Sequence, residues 1–265
     1  MSNRIAQPPA GHDVPPGPPV GRPPRSETQS SRHIAALISG GGILLLAALA
    51  AFANIAVVQG LVTDGDAAKT AKDILASDGT FRVGIASLYA VVVLDVLVAW
   101  ALMTVFRPVH AGLSRLAAWL RLAYAAVFLV AIAQLAGIPD LLRTRDSAVF
   151  TPGQVDATAL AKVDTFTDIW MAGLVLFGAH LALLGYLVCR SSQMPRLLGI
   201  LLIVAGLGYA FDTIAAVLSA GSLPAVSTVT FLGESLLALW LLIRGHRLTP
   251  DHTPFDTAPT TAVTA

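Results

Sequence analysis

The sequence predicts an all-α protein, a polytopic transmembrane helical bundle of six spans, and three observations carry that reading. Hydrophobic residues make up 55% of the 265-residue chain and charged residues only 12%, against about 25% charged in an ordinary soluble domain. Six apolar runs each approach or exceed the roughly 18 residues needed to cross a bilayer core. Lys and Arg then collect on alternate connections between those runs, as in an oriented multi-pass protein.

The runs follow one another as His33–Val58, Val83–Phe106, Ala111–Ile138, Ile169–Val188, Leu197–Leu218 and Val226–Leu242. Outer-membrane strands alternate over about 10 residues, so continuous runs of this length are helices. The first is too long, and too far from the N-terminus, for a cleaved signal peptide. Residues 1–32 contain eight of the sixteen prolines; such a segment lacks the apolar content for a core and reads as a disordered cytoplasmic tail. Residues 33–245 form the membrane domain, and 246–265 a second disordered, Thr-rich tail.

Two connections read as short amphipathic helices on the extracytoplasmic surface. In DGDAAKTAKDILASDG, Ala67, Ala68, Ala71, Ile74 and Leu75 share a face. In TPGQVDATALAKVDTF, Thr151 and Gln154 have capping-box spacing with Pro152 at the first helical position. A faint repeat links them: Phe81 and Phe166 each precede by fourteen residues a polar group inside the next span, Asp95 and His180.

Orientation follows from the basic residues. Arg4, Arg22, Arg25 and Arg32 precede the first span, Arg107 and Arg115 occupy the second connection, Arg190 and Arg196 the fourth, and Arg244 and Arg247 follow the last span. The first and third connections hold Lys69, Lys72, Arg82, Arg143, Arg145 and Lys162 among nine aspartates. Both termini are therefore expected in the cytoplasm, with the protein in a bacterial inner membrane. A net charge of +1 gives no basic field for nucleic acid. Cys189 is the only cysteine, which excludes an intrachain disulfide.

Three stretches taken together resemble a known family. They are LVTDGDAAKTAKDILASDGTFRVGIASLYAVVVLDVLVAWALMTVFRPV, then LSRLAAWLRLAYAAV, then GLVLFGAHLALLGYLVCRSSQMPRLLGILLIVAGLGYAFD followed by FLGESLLALWLLIRG. In order and spacing these are similar to the bacterial domain of unknown function 4386 family, over roughly residues 35–245. The resemblance implies a multi-pass helical membrane protein of unestablished activity, and singles out Asp95, Arg121, His180, Asp212 and Glu234.

The depth of ionisable groups reaches the same five residues independently. At 1.5 Å per residue, Asp95, Arg121, His180 and Glu234 fall near mid-depth of their spans and Asp212 nearer the outer face. A charge at the bilayer centre costs on the order of 2.5 to 3.5 kcal/mol, so these side chains are expected to face the bundle interior and pair, with Arg121 the partner of Asp95 or Glu234. The cluster reads as structural glue between helices, or else as the site of a small-molecule ligand or a proton pathway. No metal is expected, because no histidine has an acidic or His partner at zinc-ligand spacing. With one intramembrane histidine a bis-His haem is excluded too. No nucleophile elbow, P-loop or dinucleotide fingerprint occurs, so a non-enzymatic protein without a cofactor is expected, its surroundings the lipid bilayer and its oligomeric state open. The glycines of SGGGI and Gly206, Gly208 and Ala210 read as points of close helix contact.

Overall fold

The computed structural model describes residues 25–145, 149–219, 227–245 and 248. Among them the secondary structure is helical, with no strand. In chain order the helices are α1 (Arg25–Phe52), continued by a π-helical segment (Ala53–Gln59), then α2 (Ala67–Ala76), α3 (Asp78–Phe106), α4 (Ala111–Ala136), α5 (Ile138–Leu142), α6 (Pro152–Arg190), α7 (Arg196–Ser219) and α8 (Ser227–Arg244). Among the described residues five stretches are long and apolar enough to cross a membrane: Ser31–Gln59, Asp78–Phe106, Ala111–Leu142, Pro152–Arg190 and Arg196–Ala215. Their outer faces are apolar as well, with Val93, Trp100, Trp119, Val130, Val204 and Leu207 all exposed. Water would penalise so broad an apolar surface, whereas lipid does not.

Local chemistry sets the helix ends. Gly65 takes a φ of +73° in the turn before α2, a backbone conformation that a Cβ disfavours. Asp66 then caps α2 by accepting from the Lys69 backbone N–H at 2.9 Å. α3 ends at Phe106, two residues before Pro108. α4 stops at Gly137, and the short α5 follows with Pro139 in its first turn. Thr151 and Gln154 form the expected capping box at the start of α6.

Three boundaries differ from the sequence reading. α1 begins at Arg25 rather than His33, because RSETQSSR contains no Pro or Gly to interrupt it once PPGPPVGRPP has ended. The remainder of the Pro-rich tail, residues 1–24, lies outside the described residues, as do 246–247 and 249–265. α3 starts at Asp78, five residues before the apolar run. The third correction is the largest: the amphipathic segment after Thr151 is not a separate helix. It continues without a break into the fourth span as one helix of 39 residues, about 58 Å long against a core of about 30 Å. Asp164, Thr165, Thr167 and Asp168 are polar but not helix-breaking, so a change in polarity occurs there without a change in backbone. The sixth run falls on α8, where the side chains of residues 227–232 lie outside the described set.

The long helices pack antiparallel with their sequence neighbours, α3 on α4, α6 on α7 and α7 on α8, while α1 lies against α3 and α8 and α4 against α6. One end of the bundle is tied by Arg32 Nη2, which donates to the Val105 carbonyl at 3.3 Å, and by the Ser114 hydroxyl, which donates to the Met103 carbonyl at 2.7 Å. Glycine sets the α6/α7 spacing. A Cβ on Gly178 would lie 2.5 Å from the Gly206 carbonyl oxygen, and one on Gly185 2.5 Å from that of Gly199. These backbones touch because neither residue has a side chain. Gly40 likewise admits the Ala238 carbonyl of α8, and Gly42 the Val98 side chain of α3. Gly41 faces open space.

Candidate functional site

Arg121, on α4, is the hub of the predicted polar set and has no accessible surface. Its Nε donates to Asp95 Oδ1 on α3 at 2.8 Å, and Nη1 donates to Glu234 Oε1 on α8 at 2.8 Å. Nη2 lies 2.7 Å from the same Asp95 oxygen, but its N–H groups have no aligned acceptor among the described residues. His180, on α6, completes the set with Nε2 at 3.3 Å from Arg121 Nη1 and Nδ1 at 2.8 Å from the Ala117 carbonyl. A carbonyl oxygen only accepts, so Nδ1 carries the imidazole proton and Nε2 accepts from the guanidinium. The histidine is thus a neutral ligand to the arginine, and Ala117, one turn before Arg121, fixes its tautomer.

Four helices, α3, α4, α6 and α8, converge on one guanidinium through these contacts. Arginine suits the position because its planar fork offers donors in several directions at once, and it stays charged when desolvated. The two fourteen-residue spacings noted in the sequence both end here, since Asp95 and His180 each contact Arg121.

Asp212 lies elsewhere. The hydroxyl of its neighbour Thr213 donates to the Met171 carbonyl of α6 at 3.0 Å, nine residues before His180 in the same helix. That puts the Asp212 level about 12 Å along the α6 axis from the Arg121 hub. Asp212 is buried on α7, and the ion pairs of Arg121 are with Asp95 and Glu234.

Sequence reasoning missed the aromatic side chains that close the hub. The Arg121 guanidinium carbon lies 5.4 Å from the centroid of Phe177, a cation–π distance. That ring also contacts Tyr124 at 4.9 Å, His180 at 5.9 Å and Tyr209 at 5.6 Å. The series continues through Phe128, Phe166 and Trp170, with the Trp170 indole N–H donating to the Tyr124 hydroxyl at 3.2 Å. The available signal was the spacing of Phe177 and His180, three residues apart and so on one helical face. Apolar composition elsewhere in the span hid it.

Around this hub there is little free volume. The void beside His180, between α3, α4 and α6, measures about 10 Å³, at the limit of what one water needs. Among the described residues no three His, Cys, Asp or Glu side chains group so as to hold a metal ion, and the space between Asp95, His180 and Glu234 is filled by the guanidinium itself.

The chain is 34% identical over 167 residues to an uncharacterized protein of the archaeon Archaeoglobus fulgidus, an overlap of 62% of this chain and 85% of that protein. No solved structure matches it. The family pattern described as a domain of unknown function, DUF4386, matches residues 38–245, a stretch that contains all four helices meeting at Arg121. A helical protein with five membrane-length apolar helices and a buried ionic hub, this chain belongs to the family of the domain of unknown function DUF4386.

Proposed function

We propose that the protein is a six-span bacterial inner-membrane protein with both termini in the cytoplasm, and that the Arg121 hub is a permanent ionic clamp between helices rather than a ligand or proton site. The observation that carries this reading is the complete burial of Arg121 against partners from three other helices, and the void beside His180 measures only about 10 Å³. A ligand would have no room there, and a proton path would need a connected file of water or hydroxyl groups. The clamp has a clear physical role. In lipid the apolar effect gives little drive for helix association, so a desolvated charge-assisted network is among the few interactions that can specify which helices meet. No catalytic role is assigned to it.

The clamp predicts that Asp95→Asn and Glu234→Gln each lower the melting temperature of the detergent-solubilised protein. A double-mutant cycle between Asp95 and Arg121 should return a coupling in the range of about 0.5 to 3 kcal/mol. Variants that melt with the parent and show no coupling would remove the clamp reading.

The orientation rests on ten basic residues flanking α1's start, the α3–α4 and α6–α7 connections and the chain's end. With Cys189→Ser as background, a membrane-impermeant thiol reagent added to spheroplasts should label Asp64→Cys and leave the exposed Ser192→Cys unlabelled until the membrane is opened. The reverse pattern would invert the topology.

A further inference from the structure

A second feature lies outside the clamp. Among the described residues, α1 and its π-helical continuation face α4, α6 and α7 across an open cleft of about 410 Å³, within the range of about 300 to 1,000 Å³ usual for small-molecule sites. Its origin is compositional. Ala47, Ala50, Ala51 and Ala53 supply one wall, and the large rings of Phe166, Trp170 and Tyr209 the other, so the alanines leave space that the rings do not fill. The π-helical turn adds to this by widening the backbone where α1 ends, a feature often found at functional sites.

The cleft does not end in lipid alone. Val58, on the π-helical segment, lines it and also lines a polar recess of about 680 Å³. That recess is formed by Gln59, Thr63, Asp64, Asp164, Thr167 and Asp168 with three valines. Three carboxylates stand at its wall and no basic side chain does. Asp164 and Asp168 are four residues apart on α6, the spacing at which like charges repel on a helix face. Among the described residues none of the three aspartates has an ion-pair partner. Lys69 Nζ, 2.8 Å from the Thr63 hydroxyl, is already paired with Asp73 at 2.9 Å. The recess therefore carries net negative charge beside an aromatic, apolar cleft.

From this we infer that the cleft binds an amphipathic organic cation, its apolar body between the α1 alanines and the rings of α6 and α7, its charge directed to Asp64, Asp164 and Asp168. Two independent properties select the class. Shape and composition call for an apolar body, with ring faces that also attract positive charge; the recess selects the sign. An anionic lipid or fatty acid would face three carboxylates, and a neutral acyl chain would leave their repulsion unrelieved. The site is separate from the Arg121 clamp, with the Phe177 ring between them, in contact with Arg121 on one side and with the cleft residue Tyr209 on the other.

Tetraphenylphosphonium and tetraphenylborate, alike in shape and opposite in charge, make a direct test. Tritiated tetraphenylphosphonium should bind the full-length protein in detergent saturably, one per chain, whereas labelled tetraphenylborate, assayed separately because the two ions pair with each other, should show no saturable binding. The Asp164→Asn/Asp168→Asn variant should bind at least about tenfold more weakly, and Ala50→Leu, which fills the cleft, should lose saturable binding. Both variants should melt with the parent, because neither touches the clamp. The inference is overturned if no saturable binding is found, as a tightly held acyl chain would cause, if tetraphenylborate assayed alone binds as well as tetraphenylphosphonium, or if parent and variants bind alike. None of those results bears on the clamp, whose failure would show in the Asp95, Arg121 and Glu234 melts instead.

Discussion

Arg121→Met in detergent should unfold well below the parent, and of all single substitutions in the described residues it should cost most. Methionine fills much of the arginine volume but donates nothing, which leaves Asp95 and Glu234 facing each other in the bundle interior without a cation. Removing one partner of a buried ion pair costs about 3 to 5 kcal/mol, or a melting shift of about 10 °C for a chain of this size. His180 Nε2 would lose its donor as well. Arg121→Lys should not restore the parent value, because an ammonium is a point charge and cannot serve acceptors on three other helices from one plane. The triple variant Asp95→Asn/Arg121→Met/Glu234→Gln should recover part of the loss, since it removes the charges together rather than stranding two of them. Thermal melts of the four proteins, followed by size-exclusion chromatography on heating, decide it; an Arg121→Met protein as stable as the parent would end the clamp account.

Gly206→Leu should produce the second largest loss, and by a different route. A Cβ at Gly206 would collide with the Gly178 carbonyl oxygen and lie 2.8 Å from the Ala182 backbone nitrogen. Those atoms belong to a helix backbone and cannot swing aside as a side-chain tip would. The helices must separate, and overpacking of this kind costs about 1 to 3 kcal/mol, sometimes more. Gly41→Leu supplies the control, because nothing lies within 4 Å of a Cβ there; its effect should be within about 0.5 kcal/mol of the parent. The pair separates steric contact from any general intolerance of glycine substitution. Equal losses at positions 41 and 206 would show that backbone contact between α6 and α7 is not what sets the spacing.

How much of this was legible beforehand depended on dimension. Position along a span is a linear quantity, and counting residues from a span's end put Asp95, Arg121, His180 and Glu234 at one depth and Asp212 at another, which agrees with the contacts of Arg121 and with Thr213 bonding nine residues away from His180 on α6. Rotation about a helix axis is not linear in sequence when all faces are apolar. α3, α4 and α7 show little amphipathic bias, because lipid and protein interior favour the same side chains. For that reason Phe177 above Arg121 and the Gly178–Gly206 contact could not be assigned from the chain.

The boundary errors have the same kind of cause. Hydropathy marks where a helix enters lipid, and was read as marking where the helix begins. In α6 the two differ by seventeen residues, since the helix starts at Pro152 and the apolar run at Ile169. The capping box at Thr151 was the correct start signal, and nothing between it and Arg190 supplied a stop.

By itself the sequence determined the class of protein, the approximate spans and five of the ionisable residues that are buried, though not Arg32 and Asp156, because the cost of charge in lipid acts residue by residue and leaves few alternatives. The tertiary structure alone decided that one guanidinium gathers three of the other four, that Asp212 stands a dozen ångströms off, and that alanines on α1 face rings on α6 and α7 across an open cleft. Those facts depend on helix rotation and on contact between backbones, and both are set by packing between segments distant in the chain.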